Sequence, residues 1–204
     1  ISAQGSTLQI QTGTGGAKTV TGVSKANPCV VTSTAHGFVA GDRVTFASVG
    51  GMTELNGNSY IVEYVTANTF SLFKVDSTGF TTYTSGGTAT PVTYTVIAEV
   101  KSFSGFDGQA SEIDVTNLAS TAKEFRLGLV DEGGFSFEMN QVNADAGQAA
   151  LRASKNAGTL KSYKLALPNG EVATFGAYAK SLPTAGGVDN VLSSSVALRI
   201  SGAV

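Results

Sequence analysis

Glu112 and Asp114 flank Ile113 in Ser111-Glu-Ile-Asp-Val-Thr116, so on a strand their carboxylates share one face. Paired carboxylates on one surface are the tools of glycoside hydrolysis, one as acid and the other as nucleophile or base. No aromatic platform for a sugar ring accompanies them, and an exposed polar strand face accounts for the same two residues. Cys29 and His36 are the lone cysteine and the lone histidine. A zinc site needs several such ligands, and Cys29 has no basic neighbour in sequence to hold it as a thiolate. Cys29 therefore reads as a small buried hydrophobe. His36, in Ala35-His-Gly37, reads as a turn histidine bonded to its own backbone. Gly15-Gly-Ala-Lys-Thr19 has the texture of a phosphate loop, but Ala17 stands where that motif needs a glycine before the lysine. The residues that follow, Thr19 to Val23, continue as a strand and not as the required helix. No Gly-x-Ser-x-Gly elbow occurs, and Asp107 and Asp131-Glu132 lack the ligand repeat of a calcium loop. These residue types point away from an enzyme, and no metal or cofactor is expected.

The elements that carry these residues follow from composition. The 204 residues are 42% hydrophobic and only 14% charged, with 25 glycines and no tryptophan. Abundant Ser, Thr, Gly and Val favour strands and turns over helices. A charged fraction well under the usual level suits a subunit that buries much of its surface in an assembly; a plain β protein with a neutral surface is the alternative. A net charge of −2 gives no electrostatic draw towards nucleic acid or anionic lipid. No apolar run approaches the roughly 18 residues that span a bilayer, so no membrane insertion of the monomer is expected. The stretch Ile1-Ser-Ala-Gln-Gly-Ser-Thr7 has neither a basic segment nor an apolar core, so no secretory signal is expected. A lone cysteine fits synthesis in a reducing cytoplasm.

One helix interrupts the β pattern. Phe135, Phe137 and Met139 alternate with Ser136, Glu138 and Asn140, the period of a strand with one buried face. A helix is expected from about Ala144 to Asn156, capped by Asn143 and closed by Gly158. Ala146, Ala149, Ala150, Ala153 and Ala157 fall on one helical face, which is expected to lie against a sheet. Two strands joined at Pro168-Asn169-Gly170 follow. Upstream, short β runs at Val30–Thr32, Arg43–Phe46, Tyr60–Val65 and Thr69–Phe73 are spaced as in a small barrel or sandwich. Gly13-Thr-Gly-Gly16 and Ser85-Gly-Gly-Thr88 read as hinges on either side of an inserted module. Tyr94 to Lys101 reads as one strand, Phe103 to Gly108 as a turn, and Asn117 to Arg126 as a polar loop. The fold class is mainly β: an antiparallel β-sandwich or partial barrel with one short flanking α-helix. A small inserted β-barrel-like module occupies residues 21–88, and residues 1–20 and 89–204 form the core.

Two resemblances sharpen this reading. Asn27-Pro-Cys-Val-Val-Thr-Ser-Thr-Ala-His-Gly-Phe38, Ala40-Gly-Asp-Arg-Val-Thr-Phe46 and Met52-Thr-Glu-Leu-Asn-Gly-Asn-Ser-Tyr60 resemble a β module of phage structural proteins. That module is similar to the first catalytic-cysteine half-domain of ubiquitin-activating enzymes, and the likeness covers nearly all of residues 24–88 without implying ubiquitin chemistry. Glu99-Val-Lys-Ser-Phe-Ser-Gly-Phe-Asp-Gly108, Ser111 to Phe125, Asp145-Ala-Gly-Gln-Ala-Ala-Leu-Arg152 and the strand from Val191 to Ser201 resemble the tail tube protein of long, non-contractile-tailed phages. This likeness runs over essentially all of 91–204. It implies a β-sandwich flanked by a helix, in hexameric rings that stack into a hollow tube. The expected partners are other copies of the chain, a tape-measure protein, and the distal tail tip and tail terminator proteins. DNA would pass through the lumen without specific binding. The expected location is the virion, with assembly in the host cytoplasm. The inserted module, present in only some members, would sit on the outside.

Strand alternation then nominates surfaces. The candidate lumen-facing residues are Glu112, Asp114 and Thr116, set beside Ser136, Glu138 and Asn140 and beside Ser193, Ser195, Ala197 and Arg199. Such a wall is short-chained, hydroxylic and mildly acidic, and repels DNA where lysines and arginines would hold it. Asn117, Ser120, Lys123, Glu124 and Arg126, in the long Asn117–Gly134 connection, are the candidate ring-stacking loop; a solvated loop is the plain alternative. Three other functions stay open: an adhesin for host-surface glycans built on the insertion, the tube of a contractile tail or secretion system, and an enzyme using Glu112.

Overall fold

The structure is a computed structural model that describes residues 2–202. Residues 1, 203 and 204, which the expected core includes, lie outside the described residues. The elements run β1 (Thr7–Thr14), β2 (Lys18–Thr19), β3 (Gly22–Val23), β4 (Val30–Thr32), β5 (Arg43–Ala47), a 3-10 turn (Thr53–Leu55), β6 (Ser59–Glu63), β7 (Thr69–Leu72) and β8 (Thr88–Val96). They continue with β9 (Val100–Gly105), β10 (Gln109–Asp114), β11 (Phe125–Asp131), β12 (Gly134–Asn140), α1 (Ala146–Ala157), β13 (Lys161–Ala166), β14 (Val172–Ser181), β15 (Ala185–Gly187) and β16 (Asn190–Ile200). The chain is mainly β with one short α-helix, as expected, and its strand paths are open where a barrel would close. It forms two compact units: one holds Gln11–Thr95 with Lys164–Thr174 and the residues up to Ser6, the other Thr7–Ile10, Val96–Tyr163 and the residues from Phe175 onward.

In the first unit the strand order is β3-β4-β7-β6-β5-β8, with β2 on β8. Alternation sends Val44 and Phe46 of β5, Val62 of β6 and Phe70 and Leu72 of β7 into one core with Cys29, Val31, Met52 and Leu55. The glycine-rich flanks are tied by backbone hydrogen bonds. Lys18 pairs with Ala89 and Thr19 with Thr88, Gly15 N–H donates to Pro91 O (2.7 Å), and Val20 N–H to Gly87 O (2.9 Å). Glycine is required here for close approach: a Cβ on Gly87 would sit 2.7 Å from the Val49 side chain. The β13–β14 hairpin grips the module as well. Lys164 pairs with Asp42 (3.4 Å), and the Thr174 hydroxyl donates to Gly41 O (3.1 Å).

In the second unit the order is β14-β16-β12-β9, with β15 on β16. Phe135, Phe137 and Met139 of β12 and Val196, Leu198 and Ile200 of β16 are buried, joined by Tyr163 and Phe175. The expected Tyr94–Lys101 strand breaks at Glu99, whose φ of 59° turns the chain. The strand resumes as β9, which takes in Phe103 to Gly105, residues expected in a turn.

The helix departs from expectation in two ways. Its cap is Asp145, not Asn143: the carboxylate accepts the Gln148 N–H at 2.7 Å. Gly158 closes it in the left-handed conformation as expected, with φ 60°. The buried face is Gly147, Gln148, Leu151 and Ser154, while Ala146, Ala149, Ala153 and Ala157 are exposed. Backbone contact and hydrogen bonding decide this, not apolarity. A Cβ on Gly147 would lie 2.2 Å from Val96 O, so only glycine allows the helix so close. Buried Gln148 is satisfied: Nε2 donates to Ala98 O (3.0 Å) and Asn140 O (2.8 Å), and Oε1 accepts the Val142 N–H (2.9 Å).

Candidate channel and assembly surfaces

The face of β9-β12-β16 opposite the core is built by register. Ser136 stands between Ser104 and Ala197, and Glu138 between Ser102 and Ser195. Asn140 pairs with Ser193, and Ser181 of β14 extends the Ala197 row. Alternation that buries Phe135, Phe137 and Met139 necessarily turns these residues outward. The surface is mostly hydroxyl. Glu138 adds a carboxylate and Arg199 a guanidinium paired with Asp131, while at one end stand the Lys101 ammonium and the Glu99 carboxylate, which accepts from Asn140 (3.2 Å). At one end a cleft of about 570 Å³ is lined by Lys101, Asn140, Asp189, Asn190 and Ser193.

Glu112, Asp114 and Thr116 do not join this face. β10 pairs only with β11 among the described strands, as a separate two-stranded sheet with Asp114 opposite Phe125 and Glu112 opposite Leu127. The inward side expected for Ile113 is also absent: Ile113 is 51% exposed, and Phe125, Leu127, Leu129 and Val130 are exposed with it. With no layer of described residues behind it, this hairpin presents both faces to its surroundings. The three sets therefore do not form one continuous surface, and the carboxylates of Glu112 and Asp114 stand apart from the β9-β12-β16 face.

The stacking-loop candidates do come together at the hairpin tip, in a connection shorter than expected because Phe125 to Asp131 form β11. Asn117 and Ser120 close a turn on each other, with Ser120 N–H donating to Asn117 O (3.0 Å) and Asn117 N–H to the Ser120 hydroxyl (3.2 Å). Glu124 N–H donates to the Thr116 hydroxyl (3.1 Å), and Arg126 lies on β11 opposite Ile113. Lys123 donates to Asp114 at 2.7 Å; this ammonium, helped by Thr116, holds the Asp114 carboxyl below the usual aspartate range. At the hairpin base Asp107 accepts the Gly134 N–H (3.0 Å). The Asp131 carboxyl is also held low, first by the Gly133 N–H and then by Arg199. Exposed apolar side chains of β11 were the feature missed in the sequence. Its signal was there in Phe125-Arg-Leu-Gly-Leu-Val130, a run without polar alternation.

The chemistry-bearing residues of the first unit are structural. Cys29 is fully buried, and burial pushes its thiol up, against a smaller opposing effect of the Ser77 hydroxyl. His36 Nδ1 accepts the Phe38 N–H at 3.0 Å, and its ring packs 5.0 Å from those of Phe38 and Phe70. This is the backbone-bonded histidine expected. Among the described residues no three His, Cys, Asp or Glu side chains are grouped to hold a metal ion.

Comparison with known proteins gives two overlapping family matches. Residues 77–204 match the family described as lambda phage tail tube protein, and residues 26–93 match the ubiquitin-activating enzyme E1 FCCH domain. Ubiquitin-like modifier-activating enzyme 1 of Oryctolagus cuniculus is 42% identical over 116 residues, and that of Homo sapiens 35%. In both cases the match covers 52% of this chain and 10% of the enzyme, so the chain spans about a tenth of these relatives. Among solved structures, the tail of an empty GTA particle with C6 symmetry is similar at 21% identity and a TM-score of 0.46, over 54% of this chain and 83% of that one.

Proposed function

We propose, because this chain belongs to the lambda phage tail tube protein family, that its copies close into hexameric rings and that these rings stack into the channel of a long non-contractile tail. The protein is a structural tail tube subunit of a virion. The hydroxyl face of β9-β12-β16, with Ser136, Glu138 and Asn140, lines the lumen. That face carries the reading: its back is a packed aromatic core and its front offers DNA no row of free cations, so phosphates find nothing to release counterions against. β9 ends its strand path, and its unpaired edge is available to a neighbouring copy.

The hairpin supplies the contact between rings. Asn117, Ser120, Lys123, Glu124 and Arg126 meet the next ring at its tip, and Leu127 and Leu129 bury their exposed surface there. Glu112, Asp114 and Thr116 belong to this arm. Residues 1–20 and 89–204 form the tube body, and 21–88 ride on its outside. The subunit polymerises from a distal tail tip around a tape-measure protein, in the host cytoplasm, until a tail terminator protein closes the tube. It performs no catalysis. Negative-stain microscopy of the purified protein tests this: uniform hollow tubes of stacked rings are expected, and a strict monomer at high concentration would refute it.

A further inference from the structure

Asn-Gly pairs are the places where a chain most readily alters its own covalent structure, because glycine has no Cβ to keep its nitrogen from the preceding side-chain carbonyl. Two occur here, Asn56-Gly57 and Asn169-Gly170. The fold treats them differently. Asn56 is locked: Oδ1 accepts the Val49 N–H (2.8 Å), Nδ2 donates to Val49 O (3.0 Å), and Gly57 N–H donates to Phe46 O (2.9 Å), with Phe46 fully buried. Asn169 is exposed at the β13–β14 turn, between exposed Pro168 and Gly170. Its bonds stay within that turn. Nδ2 donates to Glu171 Oε2 (2.8 Å), Oδ1 accepts the Glu171 N–H (3.2 Å), and Gly170 N–H closes onto Leu167 O (3.1 Å). Local opening of an exposed turn releases all of these without disturbing the core.

We propose that Asn169 is a self-modification site, converted in the folded protein to aspartate and isoaspartate while Asn56 is spared. The Gly170 nitrogen gives its proton to hydroxide and bonds to Asn169 Cγ. The Cγ–Nδ2 bond breaks and ammonia leaves, giving a cyclic imide. Water then opens the ring at one carbonyl or the other, which leaves either aspartate or isoaspartate at position 169. Water and hydroxide are the only co-reactants. The product faces the Glu171 carboxylate with a second carboxylate where an amide had donated. Charge therefore enters the hairpin whose Lys164 and Thr174 hold Asp42 and Gly41.

The test incubates the full chain at mildly alkaline pH, folded and in denaturant, and follows both Asn-Gly peptides by mass spectrometry with enzymatic isoaspartate labelling. In the folded protein Asn169 converts at least about tenfold faster than Asn56, which reacts only through openings that break its hydrogen bonds. In denaturant the two rates converge, and N169Q removes the product without changing the Asn56 peptide. Equal rates in the folded protein would overturn the proposal, as would an Asn169 that survives folded while converting in denaturant.

Discussion

The β12 strand and the β10–β11 hairpin begin from similar sequence and end in opposite environments. Phe135, Phe137 and Met139 alternate with polar residues and are buried between β9 and β16. Ile113 also alternates with Glu112 and Asp114, yet stays half exposed on a two-stranded sheet. Alternation states which side chains share a face; only neighbouring strands and a covering layer decide whether that face is a core. An isolated two-stranded ribbon is marginal in water, so apolar side chains kept on one need another purpose. On the proposed assembly, β12 would stabilise the monomer and the hairpin the polymer.

Point substitutions separate the two roles. Phe137→Ala should cost about 3–5 kcal/mol, read as a lowered denaturant midpoint of the monomer. Leu129→Ser should change the monomer's stability by less than about 0.5 kcal/mol, because its site is already in water, yet abolish tubes in the microscope. Equal destabilisation by both would erase the distinction. Deleting residues 117–126 should likewise leave a folded monomer that does not polymerise, and normal tubes from that variant would remove the hairpin from the ring contact.

Smaller effects sharpen the supporting parts. Gly147→Ala should destabilise by about 1–3 kcal/mol, since the added methyl meets the backbone of Val96. Alanine is the better helix former, so a stabilised variant would show that α1 does not dock so closely. Asp145→Ala should cost about 1 kcal/mol as a lost cap, and Asn143→Ala should cost far less. Asp131 gives the smallest effect. Its folded pKa is depressed, so its contribution is present above the ordinary aspartate range near pH 4 and fades as pH falls through the lower folded value. Hydrogen exchange at Gly133 should rise over that window, and Asp131→Asn should remove the dependence.

Much of the framework was legible in the sequence. The strands around Val44, Phe70, Phe137 and Val196 follow from alternation, and Gly158 marks the helix end. The helix face was not legible, because Gly147 and Gln148 are buried for backbone contact and hydrogen bonds that apolar periodicity does not register. Asp145 and Asn143 are both good caps by type, and only the chain's path chose between them. The flanking glycines resemble linkers in composition, but here Gly87 fits against Val49 and Gly15 bonds to Pro91. Ser136, Glu138 and Asn140 lie on the side of β12 away from the core, as alternation predicts. That Glu112 and Asp114 stand on a separate sheet was not legible, since sheet membership is settled by partners distant in sequence.

Helical reconstruction of tubes grown from the purified chain tests the division of labour most directly. It should place Ser136, Glu138 and Ser195 on the lumen wall, with Leu127 and Leu129 enclosed between successive rings. A map with Glu138 on the outer surface, or with β11 free in solvent between rings, would contradict it.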